Sequence, residues 1–344
     1  MSEHVAPSRL ARQPVGEASR VAEGVYQLKV PVPLPLVFVS AYLVEEDEGW
    51  TLIDAGFDWP EGRAAWEAGA KSVGCDLDRD VSRILVSHYH PDHLGAARWL
   101  QERSEGPVYM LESEIAHAHR VWDTDRTVGE LAEHLTLYGM DPHLAKRAAK
   151  GTRTRLEMPD EILPLREGEK VALGGSEATV IHAPGHADHQ FILHDEGRRL
   201  LFAADHVMLG LTPNVGFWHD TEPGPLARYI RHLEKLRGLD VELVLPGHGP
   251  IFHDLDGRIG ELVSHHDERL EVMLHELSDT PKTPLEVSRR VFRDDLSLYE
   301  HCFALAETLA HLEHLSSNGR VERTENGVVR YRSIARARPR NLHR

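Results

Sequence analysis

The segment 87-SHYHPDHLG-95 contains four side chains that can bind a metal within six positions: His88, His90, Asp92 and His93. Histidine binds metal through a neutral imidazole and aspartate through its carboxylate. The segment follows the apolar stretch SRILVS, which is typical of a buried strand, and it precedes LGAARWLQERSEG, which is typical of a helix. We therefore predict that the cluster lies on a strand-to-helix loop, with Gly95 letting the first helical turn pack closely.

Three further candidates come at the ends of apolar stretches downstream. His186 follows TVIHAPG, Asp205 follows LLFAA and His248 follows LVLPG. A Pro-Gly pair before each of these two histidines is expected to turn the chain sharply. Two metal ions that share a bridging ligand need about six or seven protein ligands in all. The loop and the three strand ends together offer that number.

The order and spacing of these motifs resemble the metallo-β-lactamase superfamily, over about residues 20–255. The match is best to its glyoxalase-II-type branch. The resemblance implies an α/β fold, the αββα sandwich of two sheets flanked by helices. It also implies two zinc ions, with iron or manganese as alternatives. One zinc would be held by His88, His90 and His186 and the other by Asp92, His93 and His248, with Asp205 bridging them.

Two residues are candidates for an outer shell around the metal ligands. Asp54 is expected either to orient a ligand histidine or simply to close a strand turn, and His189 is expected to be an outer-shell or a structural residue. The sequence indicates no particular substrate-binding residues. Four other histidines are predicted to lie on solvated helix faces, namely His117, His119, His265 and His266.

After PGHGPIF the pattern changes to helices followed by a hairpin at Asn326-Gly327, which is typical of a winged helix. SHHDERLEVMLHEL and HLEHLSSNGRVER in this part resemble the lactamase-β-2-like subgroup. We predict a flexible N-terminal arm over residues 1–19, a hydrolase domain over 20–258 and a winged-helix-like domain with a basic tail over 259–344. The hydrolase domain carries a helical insert at about 112–160, which is either ordinary core or a lid for an apolar acyl chain.

The composition narrows the class of protein. The 344-residue chain has a formal net charge of −16 and only two cysteines, Cys75 and Cys302. We therefore expect a cytoplasmic protein without disulfides or a cysteine-bound zinc, and no apolar run is long enough for a membrane span. The acidic balance makes nucleic acid an unfavourable partner. Residues 320–344 run against it, since eight arginines there face two glutamates.

Together these observations predict a binuclear zinc hydrolase in which metal-bound hydroxide attacks a thioester or ester carbonyl, of a hydroxyacylglutathione-like compound or a lactone. Asp92 is the candidate catalytic residue that passes a proton to the leaving group. A small-molecule acyl thioester or ester is the expected partner, and a homodimer is an alternative to a monomer. Three other functions stay open: a metal-dependent ribonuclease, a mononuclear iron persulfide dioxygenase, and a DNA-binding regulator that uses the winged helix.

Overall fold

The computed structural model describes residues 16–33, 37–122, 126–152, 156–278, 280–293 and 295–334. The chain divides into two compact units. The first unit comprises Met1–Thr124, Thr154–Pro213 and His232–Gly260, and the second comprises Asp125–Arg153, Asn214–Arg231 and Glu261–Arg344. Residues 1–15 of the predicted arm lie outside the described residues, and the first strand begins at Ala18, inside the range predicted for that arm.

The first unit contains a seven-stranded sheet whose strands follow one another in chain order. Strands β1 to β4 pair antiparallel, whereas β4 to β7 pair parallel. The strands are β1 (Ala18–Ala22), β2 (Val25–Pro31), β3 (Phe38–Glu45), β4 (Trp50–Ile53), β5 (Val81–Leu85), β6 (Val108–Leu111) and β7 (Ile162–Leu165).

A five-stranded sheet of the same unit has the order β12-β11-β10-β9-β8. Its last pair, β11 and β12, is parallel and the other pairs are antiparallel, so that β9, β11 and β12 run in the same direction. Their ends consequently meet at one edge of the sheet. The strands are β8 (Lys170–Leu173), β9 (Ser176–His182), β10 (Phe191–Asp195), β11 (Leu200–Ala204) and β12 (Leu243–Pro246).

The helices in chain order connect and flank these strands. They are α1 (Pro60–Ser72), α2 (Pro91–Leu94), α3 (Ala97–Ser104), α4 (Glu112–Trp122), α5 (Arg126–Leu137), α6 (Pro142–Gly151), α7 (Pro225–Leu236), α8 (Leu255–Glu276), α9 (Pro284–Val291) and α10 (Leu298–Ser317). None of the helices in the described ranges is long and apolar enough to cross a membrane.

The first unit has two hydrophobic cores, one on each face of the seven-stranded sheet. Tyr42 and Ile53 of this sheet pack with Phe191 and Phe202 of the five-stranded sheet, which fills the space between the sheets. The other core includes Trp66 of α1 and further residues of α3 and α4. Two sheets with an apolar layer between them, and helices on an outer face, are the layers predicted from the sequence.

The second unit contains the helix, helix and hairpin predicted for the C-terminal part. Thr283 and Ser297 each form a capping box, which satisfies backbone N–H groups at the starts of α9 and α10. The hairpin pairs β13 (Val321–Asn326) with β14 (Val328–Ser333) and turns at Gly327, whose φ is +77°. Only a residue that tolerates the left-handed region fits this turn well.

The predicted insert at about 112–160 is divided between the units. Helix α4 belongs to the first unit, whereas α5 and α6 belong to the second. Leu135 and Tyr138 of this segment are buried, and the carbonyl of Tyr138 accepts a hydrogen bond from the Leu285 N–H at 3.3 Å. This burial favours the core interpretation of the insert over the lid.

Two of the histidines predicted to be solvated are in fact buried. His266 is 0% exposed and its Nδ1 lies 3.1 Å from Nε2 of His311, while His117 is 5% exposed and lies against Tyr89. The prediction was wrong for these two because polar residue type was taken as a sign of exposure, although a helix turns only some of its positions outward. His119 is exposed, as predicted.

Candidate metal centre

The first unit brings all seven predicted ligand residues to the ends of its strands. His88, His90, Asp92 and His93 follow β5, while His186, Asp205 and His248 follow β9, β11 and β12. These residues lie on loops, but each loop leaves a strand fixed within a sheet. The scaffold therefore positions the side chains although the loops carry them.

The seven side chains form three overlapping groups in which the ligand atoms lie within 4.8 Å of one another. The first and the last of these groups are the two triplets that the resemblance implies, and the middle group shares one histidine with each of them. The groups are His88, His90 and His186; His88, His93 and Asp205; and Asp92, His93 and His248.

Asp205 lies between the two triplets. Its Oδ1 is 3.4 Å from Nε2 of His93, and its Oδ2 is 3.3 Å from Nε2 of His186 and 3.4 Å from Nε2 of His248. A carboxylate with both oxygens facing imidazole nitrogens is suited to bridging two cations. This is the position that the resemblance implies for the bridging ligand.

Several polar atoms of this cluster are buried and have no hydrogen-bond partner among the described residues. They are Nε2 of His93, Nε2 of His248 and Oδ1 of Asp205. Leaving a buried donor or acceptor unpaired costs about 1–3 kcal/mol. Imidazole nitrogens and a carboxylate oxygen that converge without partners fit divalent cations, which supply the missing interactions.

The outer ring nitrogens of two histidines are held by acceptors, which fixes the tautomer. His248 donates from Nδ1 to the carbonyl of Phe38 at 2.8 Å, and Nδ1 of His93 lies 2.8 Å from Oδ2 of Asp54. With the proton on Nδ1, the Nε2 lone pair of each ring is free to bind a metal. Asp54 thus has the orienting contact that was one of its two predicted roles.

Ser87 is part of the site, although the sequence reasoning passed over it. Its N–H donates to Oδ1 of Asp54 at 2.8 Å, and its hydroxyl lies 3.1 Å from Oδ2 of Asp54 and 2.9 Å from Nδ1 of His88. Ser87 therefore connects Asp54 to a histidine of the other triplet. Its position directly before His88 was the only sign of this in the sequence.

The charges of the cluster set its protonation before any metal binds. Burial lowers the pKa of His248, but the carboxylates of Asp205 and Asp92 outweigh burial and raise it to about 10. Burial lowers the pKa of His90 to about 3, with the neighbouring His186 adding to the effect. Burial raises the pKa of Asp205, yet His248 and His93 hold it well below the usual range. The bridging carboxylate is therefore ionised at neutral pH.

The two Pro-Gly pairs have different roles. Gly185 has φ +142°, so this pair does turn the chain through a region that favours glycine. Gly247 is required for another reason, because a Cβ at this position would lie 2.3 Å from Oδ1 of Asp205 and 2.9 Å from Cε1 of His93. A side chain at residue 247 would occupy the space around the bridging carboxylate.

His189 belongs to none of the three ligand groups among the described residues. Its ring lies 5.8 Å from the ring of His117 and 6.1 Å from that of His182. Both cysteines are buried and free.

A sandwich of two sheets with a histidine and aspartate cluster at the strand ends defines the class of metallo-β-lactamase-fold proteins, and comparison with known families agrees. The family model described as "Metallo-beta-lactamase superfamily" matches residues 34–248. A second model, "Metallo-beta-lactamase-like, C-terminal domain", matches residues 270–334. The chain belongs to the metallo-β-lactamase superfamily, and the predicted fold class is confirmed.

Individual relatives agree with this assignment. The chain is 25% identical over 311 residues to "Probable metallo-hydrolase YqjP" of Bacillus subtilis, covering 86% of this chain and 93% of the relative. Among solved structures, a metallo-β-lactamase family protein from Thermus thermophilus is 34% identical, with a TM-score of 0.82, and the match covers 92% of this chain and 100% of that one. A β-lactamase domain protein from Burkholderia ambifaria is 30% identical, with a TM-score of 0.84 and coverage of 94% and 97%. Family membership and the candidate ligand groups support a metal-dependent hydrolase.

Proposed function

We propose that the protein is a binuclear zinc hydrolase that cleaves an acyl thioester or ester, including lactones, as in the glyoxalase-II-type branch. The position of Asp205 carries this proposal, because its two oxygens face His93 on one side and His186 and His248 on the other. His88, His90 and His186 would hold one zinc, and Asp92, His93 and His248 the other. When bound, the two ions would lower the pKa of water and stabilise negative charge that develops on the carbonyl oxygen.

Asp92 is the residue of this chain that we assign to proton transfer. Its side chain is buried, and its Oδ2 lies 3.2 Å from Nε2 of His248. Burial raises the pKa of Asp92, but the hydrogen bond from His248 and the charge of His93 outweigh burial and hold it below the usual range. An ionised carboxylate can accept a proton from water and return it to the leaving group.

The arginines of the C-terminal hairpin argue for a small-molecule substrate rather than RNA. Each of the four that the structure describes forms an ion pair with a glutamate, so the described hairpin does not present unpaired positive charge to a phosphate backbone. The pairs are Arg320 with Glu271, Arg323 with Glu325, Arg330 with Glu286 and Arg332 with Glu322. The other arginines of the predicted basic tail lie outside the described residues.

The second triplet argues for two metals rather than the single iron of a persulfide dioxygenase. His248 and His93 both present an unpartnered, buried Nε2 beside Asp92 and Asp205. A single ion in the first triplet would leave these atoms unsatisfied. A second cation satisfies them.

The proposal is tested by assaying the purified protein on a substrate panel: a hydroxyacyl glutathione thioester, an aliphatic lactone, single-stranded RNA, and glutathione persulfide with oxygen. We expect hydrolysis of the thioester or the lactone. Asp92→Asn should lower kcat by about 10²–10⁴-fold, the usual contribution of general acid–base catalysis. Asp240→Asn is the control, because this aspartate is exposed and pairs with Arg199. RNA cleavage or oxygen consumption without carbonyl hydrolysis would refute the proposal.

A further inference from the structure

One face of helix α4 is directed toward the loop that carries the first metal triplet. Glu114, His117 and Ala118 are buried on this helix, and Trp122 follows at the spacing i, i+3, i+4 and i+8 that places residues on one side of a helix. The ring of His117 lies 4.7 Å from the ring of Tyr89. Tyr89 is the residue between His88 and His90.

Both backbone polar groups of Tyr89 are bound by side chains of α4. Its N–H donates to Oε1 of Glu114 at 2.7 Å, and its carbonyl accepts from Nε1 of Trp122 at 2.8 Å. We call this pair of contacts the Tyr89 clamp. Since the N–H and the carbonyl belong to the peptide planes that lead to His88 and to His90, the clamp fixes the orientation of both planes.

The Glu114 side chain is poorly explained by stability alone. It is 0% exposed, and its second oxygen, Oε2, has no hydrogen-bond partner among the described residues. Burial raises the pKa of Glu114 to about 8, so the side chain is mostly protonated at neutral pH. A buried carboxyl with a free oxygen is costly, which indicates that its one contact, to the Tyr89 N–H, is worth that cost.

We propose that Glu114 and Trp122 are positioning residues for the metal centre, which hold the Tyr89 backbone so that His88 and His90 present their ring nitrogens to one cation. Nε2 of His88 and Nδ1 of His90 lie 3.0 Å apart, and Nδ1 of His90 lies 2.9 Å from Nε2 of His186. Histidines two positions apart converge in this way only while the peptide planes between them keep one orientation. Outer-shell groups of this kind typically change metal affinity or activity by about 10–100-fold. The inference rests on the metal centre proposed above.

The clamp predicts an effect on one metal rather than on the fold. Glu114→Ala removes the acceptor for the Tyr89 N–H, and Trp122→Phe removes the donor to its carbonyl while keeping an aromatic ring. Each should weaken binding of one metal equivalent about tenfold and leave the other unchanged. Glu114→Gln keeps an oxygen acceptor in the same place and should bind both equivalents as the unmodified protein does.

The measurement is a titration of the metal-stripped full chain with Zn²⁺ against a chelator, together with the visible spectrum of the Co²⁺ form and the thermal midpoint without metal. Glu112→Ala is the control for Glu114, because it lies on the same helix and forms an exposed ion pair with Arg166. Trp99→Phe is the control for Trp122, since Trp99 is a partly buried tryptophan that stacks with Arg63 and Arg103.

A weaker first equivalent in Glu114→Ala and Trp122→Phe, with an altered Co²⁺ spectrum and rescue by Glu114→Gln, supports the clamp. Unchanged affinities overturn it, as does an equal loss of both equivalents that follows only the thermal midpoint, since that would be a structural effect. Failure of Glu114→Gln to bind as the unmodified protein does also overturns it, because a charge would then matter rather than an acceptor. Absence of any metal binding in the unmodified protein would instead refute the proposed function.

Discussion

Oδ2 of Asp54 lies 2.8 Å from Nδ1 of His93, and Asp54 itself has a φ of +59°. The left-handed conformation is uncommon for residues other than glycine, asparagine and aspartate. It places the carboxylate at the end of β4 behind the metal centre, where it also accepts the N–H of Ser87 at 2.8 Å. Aspartate at this position therefore combines a tolerated backbone conformation with an acceptor for a ligand histidine.

Replacement of Asp54 by asparagine tests this orienting role. Asparagine tolerates the same backbone conformation, but it has lost one carboxylate oxygen and the negative charge that faces His93. We expect the affinity of the Asp92, His93 and His248 triplet for zinc to fall by about 10–100-fold, measured by chelator competition. Asp78→Asn, in an exposed ion pair with Arg103, should bind zinc as the unmodified protein does. Equal affinities in Asp54→Asn and the control would contradict the orienting role.

Replacement of Gly247 by alanine tests the crowding around the bridging carboxylate. The new Cβ would lie 2.3 Å from Oδ1 of Asp205, so either that side chain or the β12 turn must move. We expect Gly247→Ala to bind less than half of the metal bound by the unmodified protein, as measured by elemental analysis. Gly260→Ala is the matched control, because its Cβ would meet only Arg237 at 4.0 Å. Full metal content in Gly247→Ala would show that the site adapts.

Much of the metal centre was predictable because its residues are chemically distinctive and come directly after apolar strands. His88, His186 and Asp205 each follow a stretch whose hydrophobicity predicts burial, and strands that run in one direction end at one edge of a sheet. The placement of these ends together was thus expected from the pattern. The exact triplets were suggested by the resemblance rather than by the spacing.

The contacts that support the centre could not be predicted in the same way. Trp122 and Glu114 reach the loop from a helix, and which face of a helix meets which loop depends on tertiary packing. The role of Gly247 was also hidden, because a Pro-Gly pair predicts a turn but not the neighbour that a side chain would strike. His266 was misjudged for a related reason, since its partner His311 lies 45 residues away.

The buried pair His266 and His311 predicts loss of stability in acid. Burial lowers the pKa of His266 to about 2 and that of His311 to about 3, with the neighbouring histidine adding to the shift of His266. The unfolded chain binds protons below about pH 6.5 while the folded chain does not, so stability falls as the pH drops from about 6.5 toward 3. Each histidine should account for a loss of about 2 kcal/mol between about pH 6.5 and 5.

Urea unfolding of the unmodified protein and of His311→Gln at a series of pH values measures this slope. The variant should lose less stability on acidification, because glutamine carries no titrating group. His119→Gln, at an exposed position of α4, should keep the pH dependence of the unmodified protein. Parallel profiles for His311→Gln and the unmodified protein would show that the buried pair does not titrate on unfolding.

The central claim is that this chain holds two zinc ions between its two ligand triplets. Elemental analysis of protein purified without added metal, beside an Asp205→Ala variant, tests it most directly. We predict about two zinc ions per chain, with a clear fall in the variant because the shared carboxylate is gone. Iron at one ion per chain, or a folded protein that retains no metal above background, would contradict the account.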